Sequence, residues 1–318
     1  MPFKASPSRL WALPFFLLAG SCMNDPGGSG KPVVLGPSSG VFRVNLIAPA
    51  EGSPGRATIA GKVYAGETPS AINWVEKGAS GACKVYTPTT PFCEIACGSG
   101  ALCVADNTCK DFPKSVSAGK VTVTGIKLKS GAPSFTMTPL FNNYQPGAAD
   151  SMSYPPFAEG DAVTFSAAGD TSVGAFKVTA AGISLLNVLN DTITLADGKP
   201  ISLKWTAPAK AGVSVVSVFV DISHHGGSKG KIECEAPDNG SLEIAASLVD
   251  KLKAFGVSGY PKIEITRKAK GTNADVKVDL VLESLVSKEL QIPGLISCDG
   301  VNTLCPTGMT CQQDLQCK

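Results

Sequence analysis

Eight of the eleven cysteines fall into two copies of one short pattern, and that repeat limits what the chain can fold into more than any other feature. Cys97 and Cys103 flank Gly100, and five residues later come Cys109 and Lys110. Cys305 and Cys311 flank Gly308, and five residues later come Cys317 and Lys318. Each copy has one further cysteine upstream, Cys93 in the first and Cys298 in the second. Matching cysteines, glycine and lysine make this an internal repeat. Segments this short bury no core, and cross-links take its place. Four cysteines allow three pairings per copy; the crossed arrangement, first with third and second with fourth, gives the most compact segment and is the expected one. Cys83 and Cys234 remain as a long-range pair, and Cys22 stands apart. Ten cysteines suit five disulfides in an oxidising compartment. Zinc is the rival use, but the chain has no Cys-x-x-Cys pair and two histidines, His224 and His225, so no metal or other cofactor is expected.

The N-terminal segment agrees with that compartment. Lys4 and Arg9 precede an apolar run from Leu10 to Ala19, and Gly20-Ser21 lead to Cys22. The order is that of a secretory signal, and the run is half of the ~20 residues a spanning helix needs. The small-small-Cys ending resembles the lipobox of bacterial lipoproteins, with Ala19 where that family prefers leucine. The resemblance implies cleavage before Cys22, acylation of Cys22, and stable membrane attachment, since two or three acyl chains hold where one is marginal. Met23 follows the cysteine in place of the aspartate that retains enteric lipoproteins at the inner membrane, which implies the outer membrane.

Residues 22–40 are rich in glycine, proline and serine and read as a tether. Removing Lys4 and Arg9 with the signal leaves 26 basic residues against 26 acidic ones. Such a balance, with no long basic run, excludes a nucleic-acid partner. Arg267-Lys268 with Lys270 is expected at a solvated strand edge.

Beyond the tether, period-two alternation dominates. Phe42, Val44 and Leu46 alternate with Arg43 and Asn45; Ile201, Leu203 and Trp205 alternate with Ser202, Lys204 and Thr206. Val213 to Ile222 is the most apolar strand and is expected to be central, with a bulge at Val215-Val216. Ile232 and Cys234 should face inward. One helix is expected, capped by Ser247, with Leu248, Leu252 and Phe255 on its apolar face and Gly256 ending it. The fold class is therefore all-β, an antiparallel β-sandwich with one short helix, flanked by two small disulfide-rich modules. The expected divisions are a signal peptide at 1–21, the lipidated cysteine and tether at 22–40, a β segment with the first module at 41–116, a sandwich of one unit or two at 117–296, and the second module at 297–318.

The strand ending in Trp205-Thr206, the Cys234 strand followed by Asp238-Asn239-Gly240-Ser241, the Gly259-Tyr260-Pro261 step and the cysteine repeats together resemble the uncharacterised cysteine-rich surface lipoproteins of myxobacteria. The resemblance implies an envelope location and a β fold, and no catalytic residues.

Three patterns invite a chemical reading. His224-His225-Gly226-Gly227 sits between two strands with Asp221, Glu233 and Glu235 nearby, yet adjacent residues on a strand face opposite ways and the glycines suit a turn. Asp238-Asn239-Gly240 lacks the remaining carboxylates of a calcium loop and also reads as a turn. The long stretch from Pro139 to Gly160 carries Tyr144, Tyr154 and Phe157 beside Asn143, a set suited to contact with a polysaccharide or a protein unless the rings seal the sandwich. The leading expectation is a non-enzymatic envelope protein, attached to the membrane through lipid, that binds an envelope protein or polysaccharide. The alternative is a metal-assisted hydrolase built on His224 and His225.

Overall fold

The computed structural model describes residues 39–223 and 228–318. In chain order the strands begin β1 (Gly40–Ile47), β2 (Arg56–Tyr64), β3 (Asn73–Ser80), β4 (Cys83–Thr89), β5 (Ala101–Ala105), β6 (Thr108–Asp111) and β7 (Ser115–Val116). They continue as β8 (Val121–Thr124), β9 (Ser134–Met137), β10 (Asn143–Tyr144), β11 (Ala162–Ala167), β12 (Phe176–Ala181), β13 (Ile193–Thr194) and β14 (Ile201–Lys204). The rest are β15 (Val215–Asp221), β16 (Lys231–Pro237), β17 (Ser241–Ile244), helix α1 (Ala246–Ala254), β18 (Lys262–Asn273) and β19 (Val278–Gln291).

The large sheet runs β10-β2-β1-β19-β18-β15-β16-β4-β3, with β7 added on β2 and β13 on β19. It is mixed, because β1 and β13 both run parallel to β19. A second sheet, β12-β11-β8-β9, and the pair β14-β17 complete the body. The large sheet cannot be flat. Seven strand spacings separate β2 from β3, about 34 Å on a plane, whereas the link from Tyr64 to Asn73 reaches about 32 Å at full stretch. Twist must bring the edges towards each other.

Two hydrophobic clusters lie along the long hairpin β18–β19. The first gathers Phe42, Val44, Ile59, Val123, Phe165 and Phe176 between the four-stranded sheet and the β1–β2 side. The second gathers Val85, Leu203, Trp205, Val218, Ile232 and Leu248 on the β15–β16–β4 side, with α1 and β14–β17 over it. The inward residues of the hairpin pass from one to the other in register: Ile265 faces Val286, Arg267 faces Ser284, and Ala269 faces Leu282. A polar layer thus divides two apolar ones.

Local details depart from the sequence expectations in places. β15 lies inside the sheet, between β18 and β16, but Val215 and Val216 pair in unbroken register on both sides; no bulge forms there. The bulge lies at Lys77 in the edge strand β3, where it blunts an exposed edge. Helix α1 starts two residues earlier than expected. Ser247 is inside it, Ala245 occupies the N-cap position without a side-chain bond, and Leu248, Val249 and Leu252 are its buried residues.

Both modules carry the crossed pairing, Cys93–Cys103 with Cys97–Cys109 and Cys298–Cys311 with Cys305–Cys317. Cys83–Cys234 joins facing residues of β4 and β16 across a separation of 151. The second module is bound to the segment after α1: Gly259 N–H donates to the Asp314 carbonyl, and Cys298 N–H donates to the Leu315 carbonyl. A Cβ at Gly259 would stand 2.0 Å from that Leu315 carbonyl oxygen, so only glycine permits the contact.

Candidate functional site

The residues expected to bind a ligand are mostly interior. Tyr144 is 1% exposed. Its ring meets Phe42 edge-on at 5.3 Å, and its hydroxyl accepts from Ala118 N–H at 2.7 Å and donates to the Gly119 carbonyl. Phe157 is 2% exposed and belongs to the first cluster. Tyr154 is half-buried, and its hydroxyl oxygen is inaccessible without a hydrogen-bond partner among the described residues; burial raises its pKa. Asn143 is exposed, but its amide donates back to Leu140 and Phe141 within the turn. Tyr144 and Phe157 therefore turn their rings into the sandwich, Tyr144 with its hydroxyl satisfied there. Of the four residues expected at a ligand, Tyr144 and Phe157 are interior, Tyr154 is half-buried and Asn143 alone is exposed.

His224 and His225 lie outside the described residues, as does Cys22. The carboxylates expected beside the histidines are already engaged. Asp221 accepts from the Ser223 N–H and hydroxyl, Glu233 pairs with Lys231, and Glu235 pairs with Lys268. The triads of cysteine sulfurs, Cys93-Cys97-Cys109 and Cys298-Cys305-Cys317, come together because of their disulfides, which leave no thiolate to ligate an ion. An open depression of about 660 Å³ lies beside Ile126, Lys127, Leu128, Pro133 and Asp161; Asp161 there accepts from Ala158 N–H.

The large sheet instead assembles an aromatic group that the sequence reading missed. On β16, Ile232, Cys234 and Ala236 point to the core, so Lys231, Glu233 and Glu235 point to the other face. Neighbouring strands add Tyr86 opposite Lys231 and Phe219 opposite Glu233. Edge strand β3 adds Trp74. The Lys231 ammonium stands 3.9 Å from the Trp74 ring centroid, 5.7 Å from Tyr86 and 5.9 Å from Phe219, and donates to Glu233 at 2.6 Å. Lys231 is buried while the three rings stay half-buried. A desolvated ammonium against an indole face is worth about 2 kcal/mol, which holds the rings in one arrangement. Burial raises the Tyr86 pKa, with Lys84 opposing and Glu233 and Glu76 adding to the rise. The alternation of β3 is weak, with Glu76 and Lys77 following Trp74-Val75, so the sequence carries no clear period-two signal there.

Asp238, expected in a turn, has a structural role at the divide between the clusters. Its carboxylate accepts from Trp205 Nε1 at 2.7 Å, Ser214 Oγ at 2.6 Å and Arg267 Nε at 2.5 Å. Burial would raise its pKa, but hydrogen bonds from Arg267, Ser214 and Trp205 outweigh burial and hold the carboxyl below the usual range. Arg267 is 1% exposed, the reverse of a solvated strand edge. It also donates to Ser184 Oγ and to the Leu185 and Thr206 carbonyls. Strand parity turns Arg267 inward and Lys268 and Lys270 outward, where they pair with Glu235 and Asp279.

No protein-family model and no curated protein sequence matches the chain. Among solved structures, the FN1–FN3 domains of chicken CNTN1 align over 74% of this chain and 78% of that chain, at 10% identity and a TM-score of 0.21. At that score the likeness carries no argument.

Proposed function

We propose that the protein is a lipid-anchored, non-enzymatic component of the cell envelope, held through Cys22 at the outer membrane, that binds a polysaccharide or an envelope protein. The observation that carries the binding reading is the Trp74–Tyr86–Phe219 group fixed around Lys231. Half-buried rings rimmed by Glu76, Lys84 and Glu233 offer stacking faces with hydrogen-bonding groups beside them, the combination that suits sugar rings and protein hot spots. Five disulfides among the described residues support an oxidising compartment.

Two measurements test this. Metabolic acyl labelling should mark the protein and fail on Cys22→Ala. Envelope polysaccharide or pull-down binding should fall at least tenfold in Trp74→Ala with Phe219→Ala, as the loss of two ring contacts predicts. Undiminished binding in that variant would remove the aromatic face from the proposal while leaving the anchor standing.

A further inference from the structure

The hairpin between Leu140 and Asn143 places an aromatic residue where neither folding nor turn chemistry calls for one. Leu140 and Asn143 exchange both backbone hydrogen bonds, so the loop has two residues, Phe141 and Asn142, at φ of 50° and 60°. Two consecutive positive φ values are the mark of a type I′ turn, whose first position prefers Asn, Asp or Gly. A bulky residue there is a conformational outlier. Phe141 is 88% exposed and Leu140 60% exposed, so no core burial offsets that cost.

The tip stands beside the point where the N-terminal part of the chain enters. Asn142 Nδ2 donates to the Ser115 carbonyl, Ser115 pairs with Tyr64 of β2, and Tyr64 N–H donates to the carbonyl of Ser39, the first described residue. Two strand spacings and one side chain make this about 15 Å. From Ser39 back to Cys22 is 17 residue steps, a span of about 20 Å as an unconstrained coil and about 60 Å at full extension. A membrane attached at Cys22 is therefore within reach of this end. The flanking chemistry suits it: Lys62 is the register partner of Asn143, Lys114 precedes Ser115, and exposed Phe112 lies three residues before Ser115. Glu67 opposes Lys277 in the same region, so the local charge is mixed.

We infer that the Leu140–Phe141 tip is a second membrane contact, seated among the headgroups and upper acyl chains of a phospholipid bilayer. The inference rests on the lipid-anchor reading, because the anchor is what brings this end to the membrane. Phe and Leu side chains gain by leaving water, neighbouring lysines reach headgroup phosphates with their stems along the apolar layer, and one short turn is enough when Cys22 supplies the tethering.

The test is Phe141→Trp in the full acylated chain, reconstituted into phosphatidylethanolamine and phosphatidylglycerol vesicles with bromine on the upper acyl carbons. The expected result is that the added emission, after subtraction of the unsubstituted protein, is blue-shifted and quenched by more than half. Emission at the wavelength of exposed indole, or blue-shifted emission that bromine leaves unquenched, overturns the inference; the latter would assign the tip to a protein neighbour. Acyl labelling of the same sample tests the anchor separately. Leu140→Trp in the same acylated chain is the second reporter: its added emission should be quenched as that of Phe141→Trp is, and emission unquenched at both positions overturns the inference.

Discussion

The two hydrophobic clusters share the β18–β19 hairpin but are secured by different means. The first is closed mainly by apolar contact, with Phe42 packed edge-on or tilted against Tyr144, Phe165 and Phe176 at centroid distances of 5.3 to 5.9 Å. The second has fewer aromatic contacts and carries the Cys83–Cys234 bond, while Asp238, Trp205 and Arg267 form a buried polar group at its border. A sheet covered by a complete second sheet can rely on area. A sheet covered by one two-stranded pair, a nine-residue helix and loops buries less regular surface, and there cross-links and directional bonds define where the cover sits. The comparison predicts that covalent and ionic changes fall on the second cluster while the first tolerates them.

The largest expected effect is from Cys83→Ala with Cys234→Ala. Opening a loop with a separation of 151 residues costs about 5 kcal/mol in the chain-entropy model. Denaturant unfolding should show it, and hydrogen exchange should locate it: amides of β4, β16 and α1 lose protection while those of β1, β8 and β11 keep theirs. Equal loss in both sets would break the comparison and make the body one cooperative unit.

Next is Arg267→Ala, which leaves Asp238 buried without its cation and costs about 3–5 kcal/mol. The pH dependence sharpens it. The folded Asp238 pKa lies below its ordinary 3.8, so its contribution is complete above the unfolded value and disappears as pH falls through the folded one. Thermal stability of the native protein should include a loss from this group below about pH 4. In Arg267→Ala the main opposing bond is gone; where burial dominates, the folded carboxyl titrates above the unfolded one, so this group's acid loss should vanish and reverse, with stability recovered as pH falls. An unchanged acid profile would show that Arg267 does not set the carboxyl's ionisation.

A smaller and strictly local effect is expected from Cys97→Ala with Cys109→Ala. The separation is 12 residues, worth about 3 kcal/mol. The module has no core of its own: Phe92, Ile95 and Phe112 are exposed. Proteolysis between residues 92 and 111 should accelerate while the body's melting temperature barely moves. A fall in that temperature would mean that the module supports the sheet.

What the sequence disclosed follows from the range of each signal. Strand parity is local, and it placed Phe42, Val44, Ile232 and Cys234 on the buried side. Cysteine spacing is local as well, and the crossed pairing follows from compactness. The contacts that decide the candidate sites are not local. Asp238 meets Arg267 across 29 residues, Trp74 meets Lys231 across the β3–β4–β16 order, and β1 finds β19 in parallel from the other end of the chain. A turn motif such as Asp-Asn-Gly describes backbone geometry and says nothing of what its first carboxylate accepts. Likewise, tyrosines beside amides look the same whether their rings face solvent or the interior.

The smallest expected effect separates two such tyrosines and tests the apolar character of the first cluster. Tyr144→Phe keeps the ring against Phe42 but removes the acceptor for Ala118 N–H and the donor to Gly119. Leaving a buried amide unpaired costs about 1–3 kcal/mol. Tyr154→Phe removes a buried hydroxyl with no partner among the described residues, so it relieves a desolvation cost and should be neutral or slightly stabilising. Melting temperatures of the two variants should therefore move in different directions, or one should not move at all. If Tyr154→Phe destabilises as much as Tyr144→Phe, its hydroxyl is paired in solution, and the first cluster depends on directional bonds as the second does.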